Sequence, residues 1–241
     1  MSIAATTKTT ISRMEPGKVF DYRIFKYFDE SPEPVIKAVN RLVEQGIIER
    51  LSRGKFYIPE KGYFGTRKPA DAELMKTILF KNKKRRGYIT GAALYNKLGL
   101  TTQLPKTITI AVNGSRQKKD FGTFKVITKT TKAPIKEAYV ELLQYLDVLS
   151  DASKIMDAEI NSTLKIMSKK VAALENNKRS TLANLAISYY GAKTRATLAL
   201  VLSSLRLPVP DKLAKAINPT TSYRLNLDTD AWPTAKQWNI E

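Results

Sequence analysis

The sequence predicts an α+β fold in two parts, and three observations predict it. The first 65 residues carry three short helical patterns that end in a hairpin. The next stretch is strongly basic and mixes strand with helix patterns. In the remainder the apolar residues keep helical spacing. A length of 241 residues leaves room for two ordinary domains. An apolar share of 43% with 9% aromatics is that of a packed chain and not a disordered one.

The opening helix is predicted from Ile3, Thr7, Ile11 and Met14, and it stops at Pro16-Gly17. Asp21 is placed to cap a second helix over 22–28, with Ile24, Phe25 and Phe28 on its apolar side. Ser31 then reads as an N-cap, followed by Pro32 at the first helical position, where a missing N–H costs nothing. Val35, Ile36, Val39, Leu42 and Val43 form a single stripe on this third helix, and Gly46 ends it. Ile47–Leu51 and Lys55–Ile58 flank Ser52-Arg53-Gly54 and predict a β-hairpin with a basic tip.

Helix, helix, helix, hairpin is the order of a winged helix-turn-helix, whose third helix enters the major groove while the wing lies along phosphates. On that reading Asn40 faces an adenine edge, and Arg41 or Lys37 a guanine edge. Arg50, Arg53 and Lys55 grip phosphate at the wing. The expected DNA-binding set is therefore Ser31, Glu33, Lys37, Asn40 and Arg41 on the helix, with Arg50, Arg53 and Lys55 beside it. An ordinary surface on a small protein-binding domain is the alternative, and Glu33 and Glu44 speak for it.

Phe64–Lys68 followed by Pro69 predicts a linker, so the expected domains are 1–65 and 66–241. Within the second, residues 70–132 form a basic α+β segment. Asp71 caps a helix carrying Leu74, Ile78 and Leu79, and Lys81–Arg86 is an exposed basic loop. Thr90 caps a short helix through Leu94 and Leu98. Thr107–Val112 alternates as a strand, Asn113-Gly114 turns, and a second strand over 121–128 pairs with the first across the basic loop 115–120. Lys83, Lys84, Arg85, Arg86, Arg116, Lys118, Lys119 and Lys125 thus make up an expected polyanion-binding face.

Residues 134–218 are predicted to be helical. Ile135, Tyr139, Leu142, Leu143, Leu146 and Leu149 share one side, and Ile160, Leu164, Met167, Val171 and Leu174 follow as a core stripe two heptads long. Ser180 and Thr194 cap two further helices, the second stopped by Pro208 and Pro210. Residues 219–241 read as an extended tail that Trp232 and Trp238 pin to the helices.

Charge shows where a partner would act. The chain has 41 basic and 22 acidic side chains, a formal +19, which points to a polyanion. Residues 66–132 hold 16 basic against 3 acidic side chains, a net +13, whereas 1–65 and 133–241 carry +3 each. The absence of cysteine and histidine removes disulfides, thiolate metal sites and the usual general base. Gly114-Ser115 has the spelling of a nucleotidyltransferase pair, but such a site needs Asp-x-Asp on a neighbouring strand. Only Asp120 follows nearby, while Asp228-Thr229-Asp230 lies far downstream in a turn. No P-loop or dinucleotide fingerprint occurs, and no enzyme activity, cofactor or metal is expected. No apolar run approaches the roughly 20 residues needed to span a bilayer. Met1–Thr6 has no export pattern, so a cytoplasmic protein is expected.

Three stretches resemble the AbiEi family of type IV toxin–antitoxin antitoxins. They are the N-terminal module through Gly46-Ile47-Ile48-Glu49-Arg50; the block from Gly87-Tyr88-Ile89-Thr90 to Leu98-Gly99-Leu100, with Gln103-Leu104-Pro105; and Tyr190-Gly191-Ala192 through Arg195-Ala196. The resemblance implies a bifunctional bacterial protein. Its winged helix represses its own operon at inverted repeats in double-stranded promoter DNA, and the remainder counters a cognate nucleotidyltransferase-like toxin, on the toxin itself or on its nucleic-acid target. A plain winged-helix regulator with a dimerising or sensing C-terminal domain is the alternative. An RNA-binding use of the basic loops would lack the aromatic clusters of the common RNA folds.

Overall fold

A computed structural model describes residues 2–63 and 65–241. Met1 and Phe64, the first residue of the expected linker, lie outside the described residues. The architecture is mixed α and β, as expected, with several small sheets. The chain divides into two compact units, 1–78 and 79–241, and not at 65/66. The boundary shifts because the helix after the expected linker belongs to the first unit: Glu73 accepts from the Val19 N–H at 3.4 Å, and Lys55 Nζ donates to the Thr77 carbonyl at 2.8 Å.

The first unit opens with α1 (Ile3–Ser12), whose Ser2 cap accepts from the Ala5 N–H and which buries Thr7 and Ile11. Strand β1 (Val19–Asp21) follows. The helix expected over 22–28 is a single 3-10 turn, Tyr22–Ile24, although Asp21 caps it as expected. Aromatic rings prevail over the helix here. Tyr22 stacks on Phe28 at 5.3 Å and meets Phe56 edge-on, while Phe25 meets Phe20 edge-on. Helix α2 (Pro32–Glu44) buries Val35, Ala38, Val39 and Leu42, but Ser31 makes no side-chain cap bond. Its stripe packs with Phe20, Ile48 and Phe56 in one apolar core.

Strands β2 (Glu49–Ser52) and β3 (Lys55–Tyr57) form the expected hairpin, and β1 pairs with β3, giving the antiparallel order β1-β3-β2. The linker expectation is corrected: β4 (Glu60–Gly62) and β5 (Gly65–Arg67) pair as a second hairpin before α3 (Asp71–Leu79).

In the second unit the basic run is not a loop. Strands β6 (Phe80–Lys81) and β7 (Lys84–Arg85) pair across Asn82 and Lys83, both at positive φ, the geometry that a two-residue hairpin turn requires. Strand β8 (Gly87–Thr90) lies against β9 (Thr107–Val112) so closely at Gly87 that a Cβ would stand 2.9 Å from the Ile110 side chain. Gly91, at φ 67, turns the chain into α4 (Ala92–Lys97); it takes the cap position expected of Thr90.

The two expected strands do pair, but in parallel: β11 (Lys125–Thr130) runs beside β9 from Lys125↔Thr107 to Thr130↔Val112. The loop expected between them contains β10 (Lys118–Asp120), antiparallel to β11, so the sheet order is β10-β11-β9-β8. A parallel pair needs a long return connection, and residues 113–124 provide one.

Helix α5 (Val140–Asp151) crosses behind β8 and α4 and is held there by polar side chains. Gln144 Nε2 donates to the Ile89 carbonyl, the Tyr95 hydroxyl to Asp151, and the Thr90 hydroxyl to Asp147 at 2.6 Å. Helices α6 (Ile160–Ala172), α7 (Asn176–Tyr189), α8 (Ala192–Ser204) and α9 (Asp211–Lys215) complete the larger core, into which Leu164, Met167, Val171 and Leu174 point. Ser180 and Thr194 are not caps. Helix α7 begins a turn earlier and Ser180 donates back to the Asn176 carbonyl, whereas α8 is preceded by Gly191 and buries Thr194. The extended tail is likewise corrected to a folded segment. Tyr223 and Ile240 form a parallel bridge, Trp232 is buried, and the Trp238 indole donates to Ser203 at 2.9 Å.

Candidate nucleic-acid interface

In the first unit, burial of one face of α2 turns Glu33, Lys37 and Arg41 to solvent, with Asn40 half-buried at the edge. Arg53 stands exposed at the β2–β3 turn, where Gly54 takes φ 71. These residues share one small module. Of the remaining members of the expected set, Ser31 is half-buried at the start of α2 without a side-chain cap bond, and Arg50 and Lys55 are engaged within the unit. Arg50 Nη2 donates to Asn40 Oδ1 at 3.0 Å, and its guanidinium lies 5.4 Å from the Phe56 ring centre. Lys55 is turned to α3 and not to solvent. Across the strands, Tyr57 donates to Glu49; burial, and then that carboxylate, push its hydroxyl up to about 12. The sequence reading missed the β4–β5 hairpin, where Lys61 and Arg67 flank a fully exposed Tyr63. Gly62 and Gly65 on either side of an aromatic pair were the signal for it.

In the second unit the two basic segments lie within electrostatic reach of each other. Lys119 is held below the ordinary lysine range by partial desolvation and then by the charge of Arg86, which places β10 near the end of the β6–β7 hairpin. Lys83, Lys84, Arg116 and Lys118 are exposed. Arg85 is not part of a free face. It makes a two-pronged ion pair with Glu137, donates to the Gly87 carbonyl and lies 4.6 Å over Phe80. Lys125 is paired with Asp120 at 3.5 Å. Arg195 is also structural, bonding the carbonyls of Ala186 and Ala216.

A family model, DUF6088, described as a family of unknown function, matches residues 8–178. The chain belongs to the DUF6088 family. The matched span of this DUF6088 protein takes in both the α2–hairpin module and the four-stranded sheet. Among solved structures, the crystal structure of the RV2827C protein from Mycobacterium tuberculosis superposes with a TM-score of 0.49 at 12% identity, over 92% of this chain and 85% of that one. No curated protein matches the sequence. Among the described residues, no helix is long and apolar enough to cross a membrane.

Proposed function

We propose that this protein is a non-enzymatic, DNA-binding antitoxin of bacterial type, in which residues 1–78 form a winged helix that represses its own promoter. The single observation that carries the reading is the arrangement of the first unit. Helix α2 runs directly into a hairpin that the strand order β1-β3-β2 holds in place, leaving Lys37, Arg41 and Arg53 exposed in one module. In this reading Lys37, Arg41 and the free amide hydrogens of Asn40 face base edges in the major groove, and Arg53 meets phosphate. Arg50 positions Asn40 and does not itself bind the backbone.

The antitoxin role is assigned to the second unit. Its support is the resemblance of Gly87–Leu100 and Tyr190–Ala196, together with the exposed cluster of Lys83, Lys84, Arg116 and Lys118. A nucleotidyltransferase-like toxin, or the nucleic acid it acts on, is the partner of that surface, and the site of action is the cytoplasm.

The test is binding of the full chain, and of a Lys37→Ala/Arg41→Ala double variant, to the DNA upstream of its own gene across a salt series. Loss of sequence preference with retention of weak, salt-sensitive binding supports the reading. Unchanged preference moves the reader away from α2. Rescue of growth from a neighbouring nucleotidyltransferase gene by the same double variant separates the antitoxin role from the DNA role.

A further inference from the structure

Where β8, α5 and the start of α8 come together, a pocket of about 290 Å³ opens near Asp147. That volume sits at the small end of ligand clefts, which run from roughly 300 to 1,000 Å³. Its inner wall carries three polar groups. The Asp147 carboxylate is 7% exposed and accepts from Thr90 on one oxygen at 2.6 Å and from Tyr190 on the other at 2.9 Å. A carboxylate has about four acceptor positions, so two remain open. The Tyr88 hydroxyl, in a residue 1% exposed, has no partner at ordinary hydrogen-bond geometry, although Asp147, Tyr190 and Thr131 all lie close enough to act on it. A buried hydroxyl without a partner is costly and rare, and here it belongs to a residue lining a cleft.

The outer part of the pocket is cationic. Lys129 and Lys132 line it, Lys129 also reaching Asp151 at 4.0 Å. Gly191, the residue before α8, lines it too, and it brings no side-chain bond to the first amides of that 13-residue helix. Those amides have no intrahelical acceptor, and together with the helix dipole they favour an anion. A Cβ at Gly191 would meet no protein atom within 4 Å, so the backbone there is open to close approach. Tyr189, 45% exposed, presents its ring at the mouth.

We propose that this pocket binds the phosphorylated ribose of a nucleotide, with the phosphate at the α8 N-terminus and Lys132, and a ribose hydroxyl between Asp147 and Tyr88. The Tyr189 ring is then placed for the base, since an exposed aromatic face takes any base by stacking. Free nucleotides and the terminal nucleotide of a nucleic-acid strand share this chemistry. The site uses no residue of α2 or the β2–β3 hairpin, so it goes beyond the DNA reading and fails or survives separately from it.

The experiment is calorimetric titration of the full chain with adenosine 5′-monophosphate, adenosine, inorganic phosphate and a 5′-phosphorylated RNA trinucleotide, repeated on Lys132→Ala and Tyr88→Phe. Saturable binding of the monophosphate is expected, with adenosine and phosphate at least tenfold weaker. Lys132→Ala should weaken it at least fivefold, and that exposed lysine can be lost without harm to the fold. Tyr88→Phe should also weaken it, and a melt without ligand checks that the variant is folded. A trinucleotide that binds as tightly as the monophosphate assigns the site to strand ends, and a weaker one assigns it to free nucleotides. The proposal is overturned by absence of saturable binding, by phosphate binding as well as the monophosphate, or by both variants binding like the parent. The Lys37→Ala/Arg41→Ala variant should bind the monophosphate unchanged whatever it does with DNA.

Discussion

Asn40 and Arg50 are fastened to each other: the guanidinium of the strand residue donates to the amide oxygen of the helix residue at 3.0 Å, while its plane rests against Phe56. The exposed face of α2 and the first strand of the hairpin are therefore held in register by their own polar side chains. Removing either partner should loosen the same link. In a urea double-mutant cycle, Asn40→Ala and Arg50→Ala should be non-additive by about 0.5–1 kcal/mol, the scale of contacting pairs. Additive losses would refute the link.

Lys37 and Arg41 should behave differently from Arg53. Each truncation on α2 should cost about 1–3 kcal/mol on the cognate upstream DNA and little on unrelated DNA. Arg53→Ala should weaken both alike and reduce the salt slope by about 0.9. Fluorescence anisotropy at several salt concentrations measures the two patterns.

Thr90 is worth more as a hydrogen-bond donor than as a strand residue. Thr90→Val keeps the shape and removes the donor to buried Asp147, which should cost about 1.5–3 kcal/mol by urea unfolding, the range for bonds to charged groups. Thr90→Ser should recover most of the loss; equal losses in both variants would place the effect in packing instead.

Burial is the main influence on Asp147 and pushes its carboxyl above the ordinary 3.8, against the pull of the Thr90 and Tyr190 hydroxyls and of Lys129. A carboxyl raised in the folded state binds its proton more tightly there than in the unfolded chain. Its contribution to stability therefore declines as pH rises from 3.8 through the raised value. Asp147→Asn abolishes this term, so the difference in unfolding midpoint between parent and variant should shift in the variant's favour from pH 4 to 7. A difference independent of pH would contradict the assignment.

Glu159 works in the opposite direction. It precedes α6 and accepts from the N–H groups of Asn161 and Ser162, which hold its carboxyl at about 2. Its contribution is complete above the ordinary 4.5 and disappears as pH falls through about 2. Glu159→Ala should cost about 1 kcal/mol near neutrality, as lost caps do. Guanidinium melts at pH 7 and pH 2 should show the gap between parent and variant narrowing at the lower pH.

Glu137 neutralises Arg85 at the border of the basic cluster. Glu137→Ala should leave stability within about 1 kcal/mol, since its carboxylate is exposed, and should tighten salt-sensitive binding to non-specific nucleic acid. Filter binding at low salt decides it.

Local order was largely legible in the chain itself. The apolar stripe of 35–43, the hairpin around Arg53-Gly54, the alternation of 107–112 and the core stripe of 164–174 each depend on side-chain periods of 3.6 or 2, which are written in the sequence. The basic middle was legible for the same reason, because charge is a property of composition. What the sequence alone left undecided was the set of partners that come from far away. Thr90 and Asp147 stand 57 residues apart and Tyr190 another 43 beyond, so neither the loss of Thr90 as a helix cap nor the pocket follows from local pattern. The parallel pairing of β9 with β11, the pairing of Arg85 with Glu137 and the turning of Lys55 to α3 were equally hidden. Each depends on which surfaces the fold brings within hydrogen-bonding distance, and short-range spacing carries no information about that. The sequence by itself determined the strongly periodic helices and strands and the placement of charge; only the tertiary structure decided how the expected linker, the basic run and the tail fold and which polar side chains remain free to bind something else, because those depend on long-range contacts that local spacing does not encode.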